Sequence, residues 1–507
     1  MRNECTWLPD ASQTEIGEQI RRLLKATDYI DSGIEEVMEP RSWIPVLPDD
    51  SVAATPLNTL LRLFHMKRSV PAEDAAEALR PLTLDQVVAA QYLKRDGDQV
   101  SATVVIEPCC GLLVARPRDT DDENKLMSVS LTTLEVAQFA IRRHSRKTLD
   151  LGTGTGVQAM LAAKHSDEVY AVDINPRAVA TAAFNCRWNG CDNVTCLEGS
   201  LYAPVAGHRF DLIVCNPPFV ISPGIRHRYR DSGVAGDRFA LDLAQQAASF
   251  LNEGGYFQMM FQWIETEKAG WRDKLSSCFS GIGCDIWILR TDTEAPEGYV
   301  AGWLGANPEK ADPADVSYAS WLRYLGEMGA TSIGTGLCVM QRRNGAHNHL
   351  WFDEAPEDRS HPYGDAIPMI LGTRRHLKDL PDDRLLDERL VAAKGLRMVG
   401  ESRLEGGQWR TKGCEIQMQS GLRYCFDEVD PTLARLVAAC DGRQTLQEIV
   451  AGLPPEAGTM SGMPDDKHLR QVRDLMWYGF LQPERLVDET AVEMSNGRSS
   501  RQSTSFG

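Results

Sequence analysis

The strongest constraint on the fold of this chain is an alternation of short apolar runs with helical stretches over residues 126–345. Each apolar run ends in Gly, Asp or Pro, as in residues 148–152, 168–173 and 209–218. The stretches between these runs carry apolar residues at helical spacing. Strands that alternate with helices in this way form a parallel sheet with helices packed on its faces. We therefore predict an α/β domain in this part of the chain.

The size and composition are those of a globular protein with about three domains, at roughly 150 residues per domain. The chain has 507 residues, of which 43% are hydrophobic, and its formal net charge is −17. No window has the ~20 apolar residues of a membrane span. The N-terminus lacks the apolar core of a signal peptide, so we predict a cytoplasmic protein without membrane contact. The acidic balance disfavours a generic nucleic-acid binder, because phosphate affinity comes mostly from Lys and Arg.

Two further regions flank the predicted α/β domain. Residues 1–125 contain three short helical patterns followed by Asp96-Gly97, a strong signal for a two-residue hairpin. Residues 346–487 contain two strand patterns and then three helical ones. We predict a winged-helix-like module in each region, with a plain helical cap as the alternative for the first. The tail over residues 488–507 is rich in Ser and Arg, and we predict that it is disordered.

A glycine-rich motif, DLGTGTG at residues 150–156, follows the first predicted strand and opens a helix. Glycine lets the backbone approach a ligand closely, and a helix N-terminus offers free N–H groups. The next predicted strand ends in Asp173, about 20 residues further on, where a carboxylate can accept both hydroxyls of a ribose. The two features predict a nucleotide-type cofactor. They do not separate NAD from other cofactors, so a dehydrogenase stays open at this point.

The end of the fourth predicted strand carries the motif NPPF, at residues 216–219. Two prolines at this position cannot continue the hydrogen-bond ladder, so the backbone turns away there. The motif falls beside the glycine loop, at the edge where open α/β sheets bind ligands. With these motifs in this order, the chain resembles the class I S-adenosylmethionine-dependent methyltransferases of the (N/D)PP(Y/F) group, the "methyltransferase small" type. These enzymes methylate planar nitrogens: adenine N6, guanine N2 or the amide of glutamine.

The resemblance covers about residues 126–342 and implies a Rossmann-like sheet of seven strands with S-adenosylmethionine as the cofactor. In the family pattern, the Asn216 side-chain carbonyl and the Pro217 main-chain carbonyl would accept the two N–H protons of a planar nitrogen. Phe219 would stack on the substrate. The enzyme mainly supplies position and electrostatics, because a sulfonium is already a good electrophile. No metal site is predicted, and no strong base is required.

The cofactor positions of the family carry over to this chain residue by residue. The glycine loop would lie beneath the methionine moiety, Asp150 near its amino group and Asp173 at the ribose. The family often has an acidic residue after the third strand, and here the uncharged Ser200 stands in that place. The adenine contact therefore stays open, with Leu201 as an apolar candidate. The predicted cofactor-binding residues are Asp150, Gly152, Thr153, Gly154, Gly156, Asp173, Ser200, Leu201 and Asn216.

The segment after NPPF is rich in arginine and is expected to form one wall of the substrate pocket. Its arginines can meet a phosphate or a carboxylate, or they can pair with Asp231 and Asp237. Both interpretations stay open. His227 is a weak candidate for a catalytic base. The predicted substrate-binding residues are Phe219, Arg226, Tyr229 and Arg230.

The helix predicted over residues 83–93, the third of the N-terminal module, contains no Lys or Arg and carries Asp85. A helix that reads the major groove needs basic side chains. We therefore favour a peptide, protein or small-molecule substrate over nucleic acid, with the flanking modules capturing substrate or mediating a homodimer. Three function classes stand: an N-methyltransferase acting on a peptide, protein or biosynthetic intermediate, a nucleic-acid base N-methyltransferase, and a non-catalytic winged-helix binding protein.

Overall fold

The computed structural model of the chain divides into two compact units, residues 1–137 with 145–353 and residues 138–144 with 354–507. The predicted N-terminal module and the predicted α/β domain thus share one unit, and the boundary after residue 125 stays a prediction. Among the residues that the structure describes, no helix combines the length and apolar character that crossing a membrane requires. The described residues are 8–9, 14–30, 55–118, 124–225, 227–268, 270–304, 318–345, 348–359, 361–427, 429–453 and 466–487. The predicted disordered tail and Arg226 lie outside them.

The N-terminal part of the first unit combines short helices with small antiparallel sheets. The predicted hairpin at Asp96-Gly97 is confirmed, because the strands on either side pair antiparallel and Gly97 takes a φ of +59°. A π-helical turn, Leu61–His65, continues the second helix. The elements are α1 (Thr14–Ala26), α2 (Pro56–Leu60), β1 (Val70–Pro71), α3 (Ala72–Ala78), α4 (Leu84–Ala89), β2 (Leu93–Asp96), β3 (Gln99–Ala102), β4 (Val104–Cys109) and β5 (Leu112–Pro117). One sheet has the order β1-β3-β2, and the winged-helix assignment itself stays a prediction.

Helix α4 begins where the sequence predicts but ends earlier. Thr83 caps it through a capping box, in which the Thr83 hydroxyl accepts from the Gln86 N–H at 3.2 Å and the Gln86 side chain accepts from the Thr83 N–H at 2.8 Å. The helix stops at Ala89 because Gln91 takes a left-handed φ of +63°, which turns the chain into β2. The prediction of a helix over residues 83–93 is therefore too long.

An eight-stranded sheet forms the centre of the first unit within the described residues, in the order β13-β11-β12-β10-β9-β6-β7-β8. The strands are β6 (Ser145–Leu151), β7 (Ser166–Asp173), β8 (Val194–Glu198), β9 (Phe210–Cys215), β10 (Leu251–Thr266), β11 (Cys284–Glu294), β12 (Ala330–Arg342) and β13 (Leu350–Glu354). Strands β6 to β10 are parallel, and β12 runs antiparallel to both of its neighbours. The predicted α/β class is confirmed. The predicted number of seven strands is wrong, because β13 lies beyond residue 345 and adds an edge strand with a buried Trp351.

Helices connect the strands of this sheet, as the alternation predicts. Asn175 caps α7 by accepting from the Arg177 N–H at 3.0 Å, and Pro176 occupies the first helical position. The helices are α5 (Leu131–Phe139), α6 (Val157–Ala163), α7 (Pro176–Trp188), α8 (Arg238–Ala247), α9 (Trp271–Phe279), α10 (Pro296–Leu304) and α11 (Tyr318–Glu327), with 3₁₀ turns at Ala203–Val205 and Ala248–Phe250. The largest core cluster of the sheet packs α8 and α9 against its central strands.

Asn185 on α7 and Asn189, the residue that follows this helix, attach it to strand β5. The Asn185 side chain accepts from the Ala115 N–H at 2.9 Å and donates to the carbonyls of Ala115 and Thr155, each at 2.8 Å. Asn189, one turn later, pairs in the same way with the N–H and C=O of Leu113. Each amide takes the place of a neighbouring strand at the edge of β5. These bonds join the N-terminal module to the sheet domain.

The second unit contains two small antiparallel sheets and four α-helices within its described residues. Its elements are α12 (Ile367–Asp379), β14 (Arg389–Ala392), β15 (Leu396–Glu405), β16 (Gln408–Met418), β17 (Cys425–Phe426), α13 (Pro431–Ala439), β18 (Asp441–Thr445), α14 (Leu446–Gly452), α15 (Asp466–Trp477) and β19 (Leu481–Pro483), with 3₁₀ turns at Gly364–Ala366 and Asp382–Asp387. The first predicted strand corresponds to β16, the second is reduced to the two residues of β17, and the three helices after them are present. The sheet beside those helices has the order β18-β14-β19, so its central strand precedes them in the chain. The winged-helix assignment stays a prediction here as well.

Replacing Asn185 by alanine should lower the free energy of unfolding by about 2–3 kcal/mol, since the change leaves the buried N–H and C=O groups of Ala115 without partners. Asn189→Ala is the matched control. Its side chain is only half-buried, so we expect a loss of about 1 kcal/mol there. Urea unfolding measures both values. An undiminished stability of the Asn185 variant would contradict the docking role.

Candidate active site

The candidate site is a cavity of about 430 Å³ at the carboxyl ends of the parallel strands. This is the edge at which open α/β sheets bind ligands. Its lining comes from the glycine loop after β6 and from the residues that follow β7, β8 and β9. Residues 125–128 and Tyr229 form further parts of the wall. The structure thus brings most of the predicted cofactor residues together around one space.

The glycine loop adopts backbone conformations that favour glycine. Gly152, Gly154 and Gly156 have φ values of +75°, +55° and +88°. A Cβ atom at Gly156 would also lie 3.1 Å from the Cα of Ala182 on α7, so this glycine allows close helix packing. The loop therefore forms the floor of the cavity, as the motif predicts.

Asp150 holds the loop from below. It is 2% exposed, and its Oδ2 accepts from the Thr153 hydroxyl at 2.6 Å and from the Ala159 N–H at 2.9 Å. Burial raises the pKa of the Asp150 carboxyl to about 7, and these two hydrogen bonds oppose the shift. Asp150 also lines the cavity. A cationic group of a ligand placed there would favour the ionised carboxylate.

Asp173, at the end of β7, fixes the other side of the loop. Its Oδ2 accepts from the Gly154 N–H and its Oδ1 from the Asn175 N–H, both at 2.9 Å. Burial raises the pKa of the Asp173 carboxyl, and these backbone bonds oppose the shift. Each oxygen keeps a second lone pair, so the carboxylate can still accept ribose hydroxyls.

Next to Asp173, the side chain of Ile174 gives the cavity an apolar surface that the sequence predictions missed, beside the predicted Leu201. Ile174 is 51% exposed although it is aliphatic, and it lines the cavity together with Ser200 and Leu201. Such a surface suits a planar ring. The signal in the sequence was a large aliphatic residue directly after a strand-ending acid, where the chain leaves the sheet.

Two buried acceptors at the cavity have no hydrogen-bond partner within the described part of the chain. One is the Oδ1 of Asn216, directly after β9; the other is the Oε1 of Gln158, in the first turn of α6. The Gln158 amide is held in place because its Nε2 donates to the Thr133 carbonyl at 2.9 Å. A buried acceptor without a partner costs about 1–3 kcal/mol. The site therefore fits ligands that bring N–H donors, such as the amino group of S-adenosylmethionine and an amine or amide substrate.

Phe219 and Arg230, both predicted to bind substrate, make their described contacts within the protein. Phe219 packs into an apolar cluster with Trp303 and is not among the described residues that line the cavity. Arg230 pairs with the buried Asp231, with 3.0 Å between Nε and Oδ1, and its guanidinium lies over the rings of Trp303 and Trp321. Of the two interpretations of the arginines, pairing with Asp231 is thus the one observed for Arg230. The ion pair fixes the loop that follows NPPF.

Tyr229 lines the cavity, whereas His227 supports it from behind. The two rings stack with centroids 5.4 Å apart and an angle of 14° between their planes. His227 is 7% exposed, and its backbone N–H donates to Asp231 Oδ2 at 3.1 Å. His227 is not among the described residues that line the cavity, so its role as a base gains no support.

Comparison with known proteins identifies the family of the sheet domain. The family model of the methyltransferase small domain matches residues 129–281. The tRNA1(Val) (adenine(37)-N6)-methyltransferase of Actinobacillus pleuropneumoniae serotype 7 is 33% identical over 165 residues, which are 32% of this chain and 70% of that protein. The chain belongs to the methyltransferase small-domain family. It is an S-adenosylmethionine-dependent methyltransferase, as predicted, which sets aside the dehydrogenase and the non-catalytic binding protein.

Two other relatives of this methyltransferase act on proteins, according to their names. The release factor glutamine methyltransferase of Geobacter sulfurreducens is 31% identical over 187 residues, covering 34% of this chain and 63% of that protein. The ribosomal protein L11 methyltransferase of Thermus thermophilus is 39% identical over 112 residues, covering 22% of this chain and 44% of that protein. A second family model, described as a domain of unknown function, matches residues 43–103 of the N-terminal module.

Asp173→Ala should weaken the binding of S-adenosylhomocysteine by about 1.5–3 kcal/mol, the contribution of hydrogen bonds to a charged group. Glu198→Ala is the matched control, because Glu198 ends β8 in register with Asp173 but is not among the described residues that line the cavity. We expect the control to change the binding free energy by less than about 0.5 kcal/mol. Titration calorimetry measures both variants. Binding of NADH in place of S-adenosylhomocysteine would refute the cofactor assignment.

Asp150 should make the stability of the protein without ligand depend on pH. Its pKa is about 7 in the folded chain against an ordinary value of 3.8, so folding retains a proton that the unfolded chain releases. This stabilising contribution is full below about pH 4 and is lost as the pH rises through about 7. Between about pH 5 and about pH 8, the parent should lose roughly 2–3 kcal/mol more unfolding free energy than Asp150→Asn, whose amide does not titrate. Urea unfolding at both pH values tests this; equal pH dependence in the two proteins would contradict it.

Proposed function

We propose that this methyltransferase transfers a methyl group from S-adenosylmethionine to the side-chain amide nitrogen of a protein or peptide. The observation that carries the proposal is the Oδ1 atom of Asn216, which is buried at the cavity without a hydrogen-bond partner among the described residues. A carbonyl oxygen in this position is suited to accept an N–H from a substrate. An amide –NH₂ group and an adenine amino group both provide such a donor.

The chemistry requires help because an amide nitrogen is a poor nucleophile, with its lone pair delocalised into the carbonyl. In the proposed mechanism, the Asn216 side-chain carbonyl and the Pro217 main-chain carbonyl accept the two N–H protons. These bonds favour a more tetrahedral nitrogen, whose lone pair is then directed at the methyl group. When bound, S-adenosylmethionine would supply that methyl group from its sulfonium, which would leave as a neutral thioether, and one of the two N–H protons would then pass from the methylated nitrogen to solvent. The remaining contribution of the chain is to hold the two reactants in line and to exclude water.

The wall that would receive the planar amide consists of Tyr229 and Pro218, both of which line the cavity. The ring of His227 stacks on the side of Tyr229 that faces away from the cavity. The Arg230–Asp231 ion pair fixes the loop that carries His227 and Tyr229. We therefore assign to Tyr229 the stacking role predicted for Phe219. Phe219 contributes indirectly, by anchoring the motif in the apolar cluster beneath it.

A protein substrate is favoured over nucleic acid by four observations. The relatives include a release factor glutamine methyltransferase and, from Bradyrhizobium diazoefficiens, a ribosomal protein uL3 glutamine methyltransferase that is 45% identical over 82 residues, covering 16% of this chain and 26% of that protein. The chain is acidic, with a net charge of −17, which repels a polyanion. Helix α4 has no basic residue, and Arg230 is already paired with Asp231.

The second candidate is methylation of adenine N6 in tRNA. The relative that acts on tRNA1(Val) favours it, since the match covers 70% of that enzyme.

One experiment separates the two candidates: methyl-tritiated S-adenosylmethionine is incubated with the enzyme and fractionated RNA, protein and small metabolites. Label that is released by protease but not by nuclease supports the proposal. Label in tRNA or in small metabolites overturns it. The homodimer and the cytoplasmic location stay predictions.

Asn216→Ala should reduce kcat by about 10²–10³, because an interaction that strengthens in the transition state acts on kcat rather than on KM alone. S-adenosylhomocysteine affinity should stay within about threefold of the parent. Asn216→Asp should retain partial activity, since a carboxylate also accepts hydrogen bonds. The measurement is the initial rate on the fraction that accepts label, with circular dichroism to confirm folding.

His227→Ala is the matched control for this prediction. If the alternative is right and a substrate hydroxyl or carboxylate is methylated through His227, that variant will lose turnover. Loss of activity in His227→Ala together with full activity in a folded Asn216→Ala would therefore rule out the planar-nitrogen mechanism.

A further inference from the structure

Residues 124–130, which we call the strap, form one wall of the cofactor cavity without regular secondary structure. Residues 125–128 within it line the cavity. Ordering such a segment costs conformational entropy. If nothing fixes the strap before the cofactor arrives, binding has to supply that ordering and affinity falls. The contacts at its two ends therefore bear directly on cofactor affinity.

The first end of the strap is fastened to the residues that follow β7. The Asn124 carbonyl accepts from the Asn175 side-chain N–H at 3.0 Å and from Arg177 Nη1 at 3.3 Å. Asn175 in turn donates its backbone N–H to Asp173. This end is thus linked to the predicted ribose carboxylate within the sheet domain.

The second end is fastened to the N-terminal module through a buried ion pair. The Val129 N–H donates to Glu107 Oε2 at 3.2 Å. Glu107, on β4, also receives two hydrogen bonds from Arg116 on β5, at 3.0 Å and 3.3 Å. Glu107 is 7% exposed and Arg116 8%. The carboxylate cannot turn away, because that would leave the Arg116 charge buried and unpaired.

We infer that Glu107 is a positioning residue for the cofactor: its buried pair with Arg116 presents a fixed acceptor to Val129 and so orders the strap in advance. The N-terminal module thereby sets the cofactor affinity of the sheet domain. Neither Glu107 nor Arg116 lies within the residues matched by the two family models, 43–103 and 129–281. The inference rests on the assignment of the cavity to the cofactor and does not depend on the methyl acceptor.

The variant that tests the inference is the double replacement Glu107→Leu with Arg116→Leu. A single replacement would leave a buried charge unpaired and endanger the fold, whereas apolar replacement of a whole buried pair is generally tolerated. The double variant removes the acceptor for the Val129 N–H. We expect its dissociation constant for S-adenosylhomocysteine, measured by calorimetry, to rise about tenfold, as for the loss of one hydrogen bond to a charged group. Its melting temperature should stay near that of the parent.

The control removes another cross-strand ion pair of the same unit, one that is more exposed to solvent. Lys147 and Glu168 face each other on β6 and β7, 3.4 Å apart, and neither is among the described residues that line the cavity. Replacing both by leucine should leave the dissociation constant within about twofold of the parent. A folded Glu107/Arg116 double variant that also stays within about twofold would overturn the inference.

Amide hydrogen exchange on the parent protein gives a second test that needs no variant. If Glu107 holds Val129 in advance, the Val129 amide is protected before any ligand is added, and S-adenosylhomocysteine then extends protection to residues 125–128. Exchange of the Val129 amide at the rate of an unstructured peptide would overturn the inference. An error in the cavity assignment has a different signature, because then Asp173→Ala would leave the affinity unchanged.

Discussion

The cofactor site depends on two carboxylates at neighbouring strand ends, the buried Asp150 and the half-buried Asp173, which hold the glycine loop from opposite sides. Asp150 binds the Thr153 hydroxyl and the first turn of α6, and Asp173 binds the Gly154 N–H. Without these bonds, three left-handed glycines would leave the loop with many accessible conformations. The arrangement places two acidic groups in a poorly solvated region. Burial raises the pKa of Asp150, and the negative charge of Asp173 raises it further. The same electrostatics favour a ligand that carries positive charge, as a sulfonium with an amino group does.

The parts of the site that the sequence predicts are those fixed by local signals. The glycine loop, the strand-ending Asp173 and Asn216 after β9 all follow from the rule that strand ends of a parallel sheet converge on one edge. The directions of Phe219 and Arg230 do not follow, because Trp303 and Trp321 determine them from helices far along the chain. The eighth strand, β13, could not be predicted because it lies beyond residue 345, where the alternation of apolar runs and helical stretches ends. It is a short segment that pairs only at the edge of the sheet.

The contribution of the N-terminal module is still harder to predict from sequence. In the β4–β5 hairpin, Glu107 lies opposite Val114 and Arg116 opposite Val105, so the two charges are diagonal neighbours. Only the register of the hairpin reveals that they meet, and only the tertiary structure shows that Val129 reaches the same carboxylate. Gln158 was overlooked for a related reason, since an amide inside an apolar helix is ordinarily a packing detail. Only the structure shows that its Oε1 is buried at the cavity without a hydrogen-bond partner among the described residues.

The asparagines that join α7 to β5 recognise main-chain atoms and make no demand on side-chain chemistry at Leu113 and Ala115. An attachment of this kind tolerates changes in strand composition but is sensitive to strand length. Removing one residue from the turn at Cys110-Gly111 would shift every later position of β5 by one place. The side chains of the strand would then exchange faces, and Arg116 would point away from Glu107. The number of residues between that turn and the strap therefore determines the register of the β4–β5 hairpin. Through Glu107, that register also affects the conformation of the strap at the cofactor site.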